Sequence, residues 1–90
     1  MSVLSAERDV RIVSDLGLHL RAAGALVQLA SRFRAEIRLR RGTTEANAKS
    51  IMSVLSLAAG KGVTLSLRAE GEDATAAVTA IAHLIASGFA

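Results

Sequence analysis

Apolar and polar positions along this 90-residue chain change period several times, and each change marks an element. Arg8 to Ser14 alternates around Val10 and Ile12, as a half-buried strand does. Asp15 to His19 breaks the alternation as a loop. From Leu20 to Arg32 the apolar residues Leu20, Ala23, Leu26, Val27 and Ala30 share one helical face. Glu36 to Arg40 returns to period two, with Ile37 and Leu39 inward and Glu36, Arg38 and Arg40 outward. Arg41-Gly42-Thr43 turns the chain into a short strand at Thr44 to Ala46. Lys49 to Leu57 reads as a short helix, and Gly60-Lys61-Gly62 breaks it. Val63 to Glu70 alternates again around Val63, Leu65 and Leu67. A last helix follows Gly71-Glu72-Asp73, carries Ala77, Val78, Ile81, Leu84 and Ile85 on one face, and stops at Gly88. The order is β-α-β-β-α-β-α. Strands apolar on one side only predict a sheet with one wet face and one helix-covered face. That is an α+β two-layer sandwich, antiparallel rather than parallel.

Length and composition narrow the possibilities. Residues 1–90 fit a single domain, and a chain this short buries only about 60–65% of its unfolded surface. A deep enclosed active site is not expected. Half the residues are apolar and 21% are charged, which excludes a disordered chain. Without cysteine there is no disulfide, no thiolate metal site and no thiol nucleophile. His19 and His83 lie far apart, so no metal and no cofactor is expected. No apolar run approaches the ~18–20 residues of a membrane span, and the N-terminal stretch lacks the features of a secretory signal. A cytoplasmic protein with no membrane insertion is the expectation. The net charge of +3 suggests anionic partners, yet Phe33 and Phe89 are the only aromatic residues. Nucleic acid is disfavoured as a partner, because base stacking needs aromatic platforms.

Two segments carry candidate chemistry. In Gly17-Leu18-His19-Leu20-Arg21-Ala22-Ala23, His19 falls where a loop becomes a helix, and Arg21 follows in the first turn. A cation there opposes the helix dipole. A visiting anion would give it a purpose, since free amides, the positive dipole end and a guanidinium could converge on a phosphoryl group. The histidine adds a nucleophile that titrates near neutrality. Spacing alone leaves a second reading open, a solvated loop histidine beside an ordinary arginine. The other segment is Ala48-Lys49-Ser50-Ile51-Met52-Ser53-Val54-Leu55. Ser50 suits a helix N-cap. So short a helix cannot bury all its apolar residues, which leaves Ile51, Met52 and Leu55 as an adaptable docking patch.

Together these stretches resemble the HPr family, the histidine-containing phosphocarriers of the bacterial sugar phosphotransferase system. The resemblance runs from about Arg8 to the C-terminus through GLHLRAA, AKSIMSVLSLA, GKGVTLSLRAEGED and the final amphipathic helix, in order and at the right separations. It implies an open-faced β-sandwich, a four-stranded antiparallel sheet with three helices on one face. It implies a carrier and not an enzyme. His19 would accept a phosphoryl group on Nδ1 from enzyme I, with Arg21 assisting, and pass it to enzyme IIA proteins. Ser50 would be the regulatory target of a serine kinase and its phosphorylase, and Ile51, Met52 and Leu55 would dock partners. A monomeric carrier is expected.

The chain departs from the family pattern at four places. Ala22 replaces a proline, Gly24 loosens the helix, Leu16 replaces a small polar residue, and Leu20 is bulkier than the usual residue. Two competing functions remain: a regulatory binding module whose main signal is Ser50 phosphorylation, and a carrier in a nitrogen-related phosphorelay. His83 lies off the apolar face and is assigned no role. Arg38, Arg40 and Arg41 are read as a wet sheet surface.

Overall fold

A computed structural model describes residues 4–89 of the chain; residues 1–3 and 90 of the expected domain lie outside the described residues. The elements follow the expected order: β1 (Ser5–Arg11), α1 (Leu20–Ala30), β2 (Glu36–Arg41), β3 (Thr44–Asn47), α2 (Ile51–Leu55), β4 (Thr64–Glu70) and α3 (Ala74–Ala86). The four strands form one open antiparallel sheet in the order β1-β4-β2-β3. Only β2 and β3 are joined by a tight turn, at Gly42-Thr43; the other connections pass through helices.

One face of the sheet buries Val10, Ile37, Leu39, Leu65 and Leu67. Against it lie the α3 residues Val78, Ile81 and Ile85 and the α1 residues Ala23 and Leu26. Helix α3 packs on β1 and β4, α2 packs on β3, and α1 packs on both other helices. Among the described residues, 11 of the 24 buried apolar side chains are alanine, so helices and sheet approach closely. The opposite face is wet. Arg38 pairs there with Glu36 at 2.8 Å and Glu45 at 3.4 Å, and Arg68 with Glu70 at 3.2 Å. Exposed pairs of this kind add little stability, and Arg38 and Arg68 oppose each other directly in register.

Several boundaries differ from the sequence pattern. Strand β1 covers Ser5–Arg11 instead of Arg8 to Ser14. Ile12 leaves the ladder but stays buried, because its amide donates to Val63 O and its carbonyl accepts from Gly62 N–H. Helix α1 ends at Ala30, where the Ser31 hydroxyl donates to Val27 O at 2.7 Å. Leu20 is not on the buried face but 66% exposed. It shares the azimuth of Ala23 but sits in the first turn, where neither the sheet nor another helix covers it. Helix α2 has five residues, starting after Ser50 and stopping before Ala58, whose φ of +49° is left-handed. Arg41 is an exposed residue at the end of β2, but its side chain does not simply meet solvent. Its Nη1 donates to Leu57 O and Ala58 O in the turn that follows α2.

Asp73 takes the N-cap position of α3 but makes no side-chain capping bond. Its carboxylate instead reaches the lead-in to β2, accepting from the Arg34 and Ala35 amides, both at 2.8 Å. These bonds, the Arg34 amide first, hold the carboxyl below its ordinary value of 3.8. The stabilisation is therefore present above the unfolded carboxylate value and disappears as pH falls through the lower folded one. Asp73→Ala should melt at a lower temperature than the parent at neutral pH. The gap should hold down to about pH 4 and narrow below it. Thermal melts of both proteins across that range check this; a gap independent of pH would mean that the carboxylate charge is not involved.

Candidate functional site

The site is built on a loop that the rest of the fold holds by its backbone. The Gly17 amide donates to Ser14 O at 3.0 Å, and the Ser14 hydroxyl donates to Gly17 O at 3.1 Å. Gly17 has φ +67°, and a Cβ there would lie 2.8 Å from both Ala59 O and Gly60 Cα. Only glycine fits, for its conformation and for the close approach. The next amide, Leu18 N–H, donates to Ala59 O at 2.8 Å, and the Leu18 side chain is buried. At the loop's outer edge Asp15 pairs with Lys61 at 2.7 Å; the Lys61 hydrogen bond and charge hold the Asp15 carboxyl below its ordinary value.

His19 follows in extended conformation, with φ −79° and ψ 179°, as the N-cap of α1. Its carbonyl accepts from Ala23 N–H at 2.8 Å. Its Nδ1 accepts from Arg21 N–H at 3.2 Å, so the imidazole itself performs the capping that serine or aspartate usually supplies. An accepting Nδ1 carries the lone pair and leaves the ring proton on Nε2. The ring atom turned toward the positive end of the helix is thus the one that offers a lone pair.

Nothing local neutralises that end. The first turn of α1 holds no acidic residue, and among the described residues no carboxylate pairs with the exposed Arg21 guanidinium. His19, Arg21, Leu16 and Leu20 surround a shallow depression of about 630 Å³, closed on one side by Phe89. Phe89 has φ +67° and donates its amide to Leu84 O. No sequence signal links Phe89 to His19; the length of α3 brings it there. The apolar rim was legible only as two unusually large residues, Leu16 and Leu20, now seen to be 78% and 66% exposed.

The second segment is a separate surface, and none of its residues lines this depression. Ser50 caps α2, its hydroxyl accepting from Ser53 N–H at 3.3 Å. Ile51 and Met52 are exposed and Leu55 is half-buried, while Val54 and Leu57 face the core. The two surfaces are coupled through packing: α1 lies on α2, and the chain leaving α2 provides Ala59 O for the His19 loop. His83 is exposed on α3. Among the described residues no group of three potential metal ligands comes together, and no helix is long and apolar enough to cross a membrane.

Comparison with known proteins gives a consistent result. Residues 6–87 match the family described as the PTS HPr component phosphorylation site. The chain is 43% identical over 83 residues to phosphocarrier protein HPr of Cupriavidus necator, covering 92% of this chain and 93% of that one. It is 46% identical over 83 residues to phosphocarrier protein NPr of Shewanella violacea, covering 92% and 91%. A crystal structure of HPr from Thermoanaerobacter tengcongensis superposes with a TM-score of 0.90 at 39% identity, covering 93% of this chain and 94% of that one.

The loop geometry makes Gly17 a sharp test of how the site is held. Gly17→Ala should destabilise the protein by about 2–4 kcal/mol, from left-handed strain plus the clash with the Ala59–Gly60 backbone. Denaturant unfolding measures it; a change below about 0.5 kcal/mol would show that the loop is free to move away.

Proposed function

The chain belongs to the family of HPr phosphocarriers of the phosphotransferase system, and on that premise we propose that its phosphoryl group is carried on Nδ1 of His19. Members of this family carry phosphoryl groups between other proteins and are not enzymes with turnover of their own. The supporting observation is the hydrogen bond from Arg21 N–H to Nδ1, which presents the lone pair at a positive helix end beside a guanidinium that no carboxylate of the described residues pairs. In the transfer from phosphorylated enzyme I, Nδ1 forms a bond to phosphorus as the bond to the donor nitrogen breaks. The Arg21 amide must release Nδ1 at that moment, and is then free to donate to a phosphoryl oxygen. The guanidinium of Arg21 supplies the counter-charge. The reverse exchange hands the group to an enzyme IIA protein and restores the cap.

The half-open depression and the exposed α2 flank suit a carrier that meets several partners in turn. Ile51, Met52 and Leu55 are the proposed docking contacts, and residues 1–90 are proposed to act as one monomeric HPr-like domain. A nitrogen-related phosphorelay is the second reading. It is favoured by the 46% identity to the protein named NPr, against 43% and 46% to two proteins named HPr. Parallel transfer rates from the enzyme I of each relay would separate the two.

Incubation with enzyme I and phosphoenolpyruvate should yield an acid-labile, base-stable phosphoramidate, absent from His19→Ala. Arg21→Ala should keep or slightly raise the melting temperature, since the dipole no longer faces a cation, and slow transfer at least about tenfold. Undiminished acid-labile labelling of His19→Ala would overturn the assignment.

Ser50 is the proposed regulatory position. A phosphate there adds roughly −2 charge beside the Ile51–Met52 flank. A docking partner would have to desolvate that charge against apolar contacts. Stoichiometrically Ser50-phosphorylated protein should therefore accept phosphate on His19 at least about tenfold more slowly, while Ser50→Ala should not. Equal rates for modified and unmodified protein would reduce Ser50 to a helix cap.

A further inference from the structure

We propose that Arg41 is a positioning residue for the His19 loop, acting through the turn between α2 and β4. Arg41 closes β2 and is distant from Leu57 and Ala58 in sequence, yet its Nη1 donates to Ala58 O at 2.7 Å and to Leu57 O at 3.1 Å. Both carbonyls lie in the turn just past α2, beyond its C-cap Ser56, and among the described residues no backbone amide donates to either. A guanidinium suits that place on two counts: it supplies the missing donor and complements the negative end of the helix.

The clamp sits on the least comfortable backbone in this part of the chain. Ala58 adopts φ +49°, a conformation that glycine accepts freely and alanine resists. Alanine prefers to continue a right-handed helix, so the turn needs an outside hold. Immediately after the turn, residues 59 and 60 form the platform of the site. Ala59 O accepts the Leu18 amide at 2.8 Å, and the Ala59–Gly60 backbone is the surface against which Gly17 fits without a Cβ. Leu18 immediately precedes His19. Relaxation of Ala58 displaces Ala59 O and loosens the loop that orients the imidazole. Arg41 thereby sets the presentation of Nδ1 without lining the depression around His19.

The consequence for transfer rests on His19 being the acceptor; the structural consequence does not, and the test keeps them apart. Arg41→Ala should raise the hydrogen-exchange rate of the Leu18 amide about tenfold, with the β1 and β4 ladder amides unchanged. Transfer from phosphorylated enzyme I should slow several-fold. Adding Ala58→Gly to Arg41→Ala removes the strain that the clamp resists, and should return both the Leu18 exchange and the transfer rate toward the parent values. Unchanged Leu18 exchange in Arg41→Ala overturns the proposal. So does a rise shared equally by the strand amides, which would make Arg41 a support of the whole fold. Failure of the glycine to rescue the loop would likewise overturn it.

Discussion

At the His19 end of the molecule, Gly17 and the Ala59–Gly60 peptide meet at a distance that admits no Cβ. Several features depend on this contact. It brings Leu18 N–H within reach of Ala59 O, and it seats the buried Leu18 side chain as the loop's anchor. With Leu18 held, the next residue can only enter α1 as its N-cap, so the imidazole turns back over the first turn. The constraint spans two connections far apart in sequence, and neither is held at that point by regular secondary structure. The orientation of His19 is a tertiary property, even though its motif is a local one.

At that end the fold sets stability against use. An N-terminal helical turn that holds an exposed arginine and no acid is a poor choice for an isolated helix. It is a good choice for a site that must be incomplete until an anion arrives. The histidine cap fits the same logic: it satisfies the Arg21 amide with the very atom proposed to react. Local sequence rules fail here where a functional site is expected to break them.

Most of the fold could be read from periodicity. Ile37 and Leu39 in β2, Leu65 and Leu67 in β4, and Ala77, Val78, Ile81 and Ile85 in α3 are buried as the pattern predicts. The departures share one physical origin, since they lie where local pattern yields to distant partners. Arg41 is an exposed strand residue, but its guanidinium reaches the turn that follows α2. Leu20 fits the apolar stripe but meets no opposing element at the helix start. At the site, the pairing of His19 with Arg21 and the capping place of Ser50 were legible as chemistry. Phe89 was not, because only the length and angle of α3 place it near the histidine.

The alanine-rich interior has a consequence for how such a chain can diversify. A buried alanine gives up no rotamer freedom on folding, and it offers almost no volume to delete. Ala22, Ala23, Ala30, Ala77 and Ala82 are packed between helices or against the sheet, so nearly every substitution there enlarges the side chain. Enlargement in a dense interior forces neighbours apart, and cores resist it. Mutational drift is thereby turned away from the interior and toward the rim. Leu16 and Leu20 stand in open solvent there, as Met52 does on the separate α2 surface, and all three can change size at little structural cost. A lineage built on this interior would keep its architecture nearly constant while its exposed apolar surface wandered.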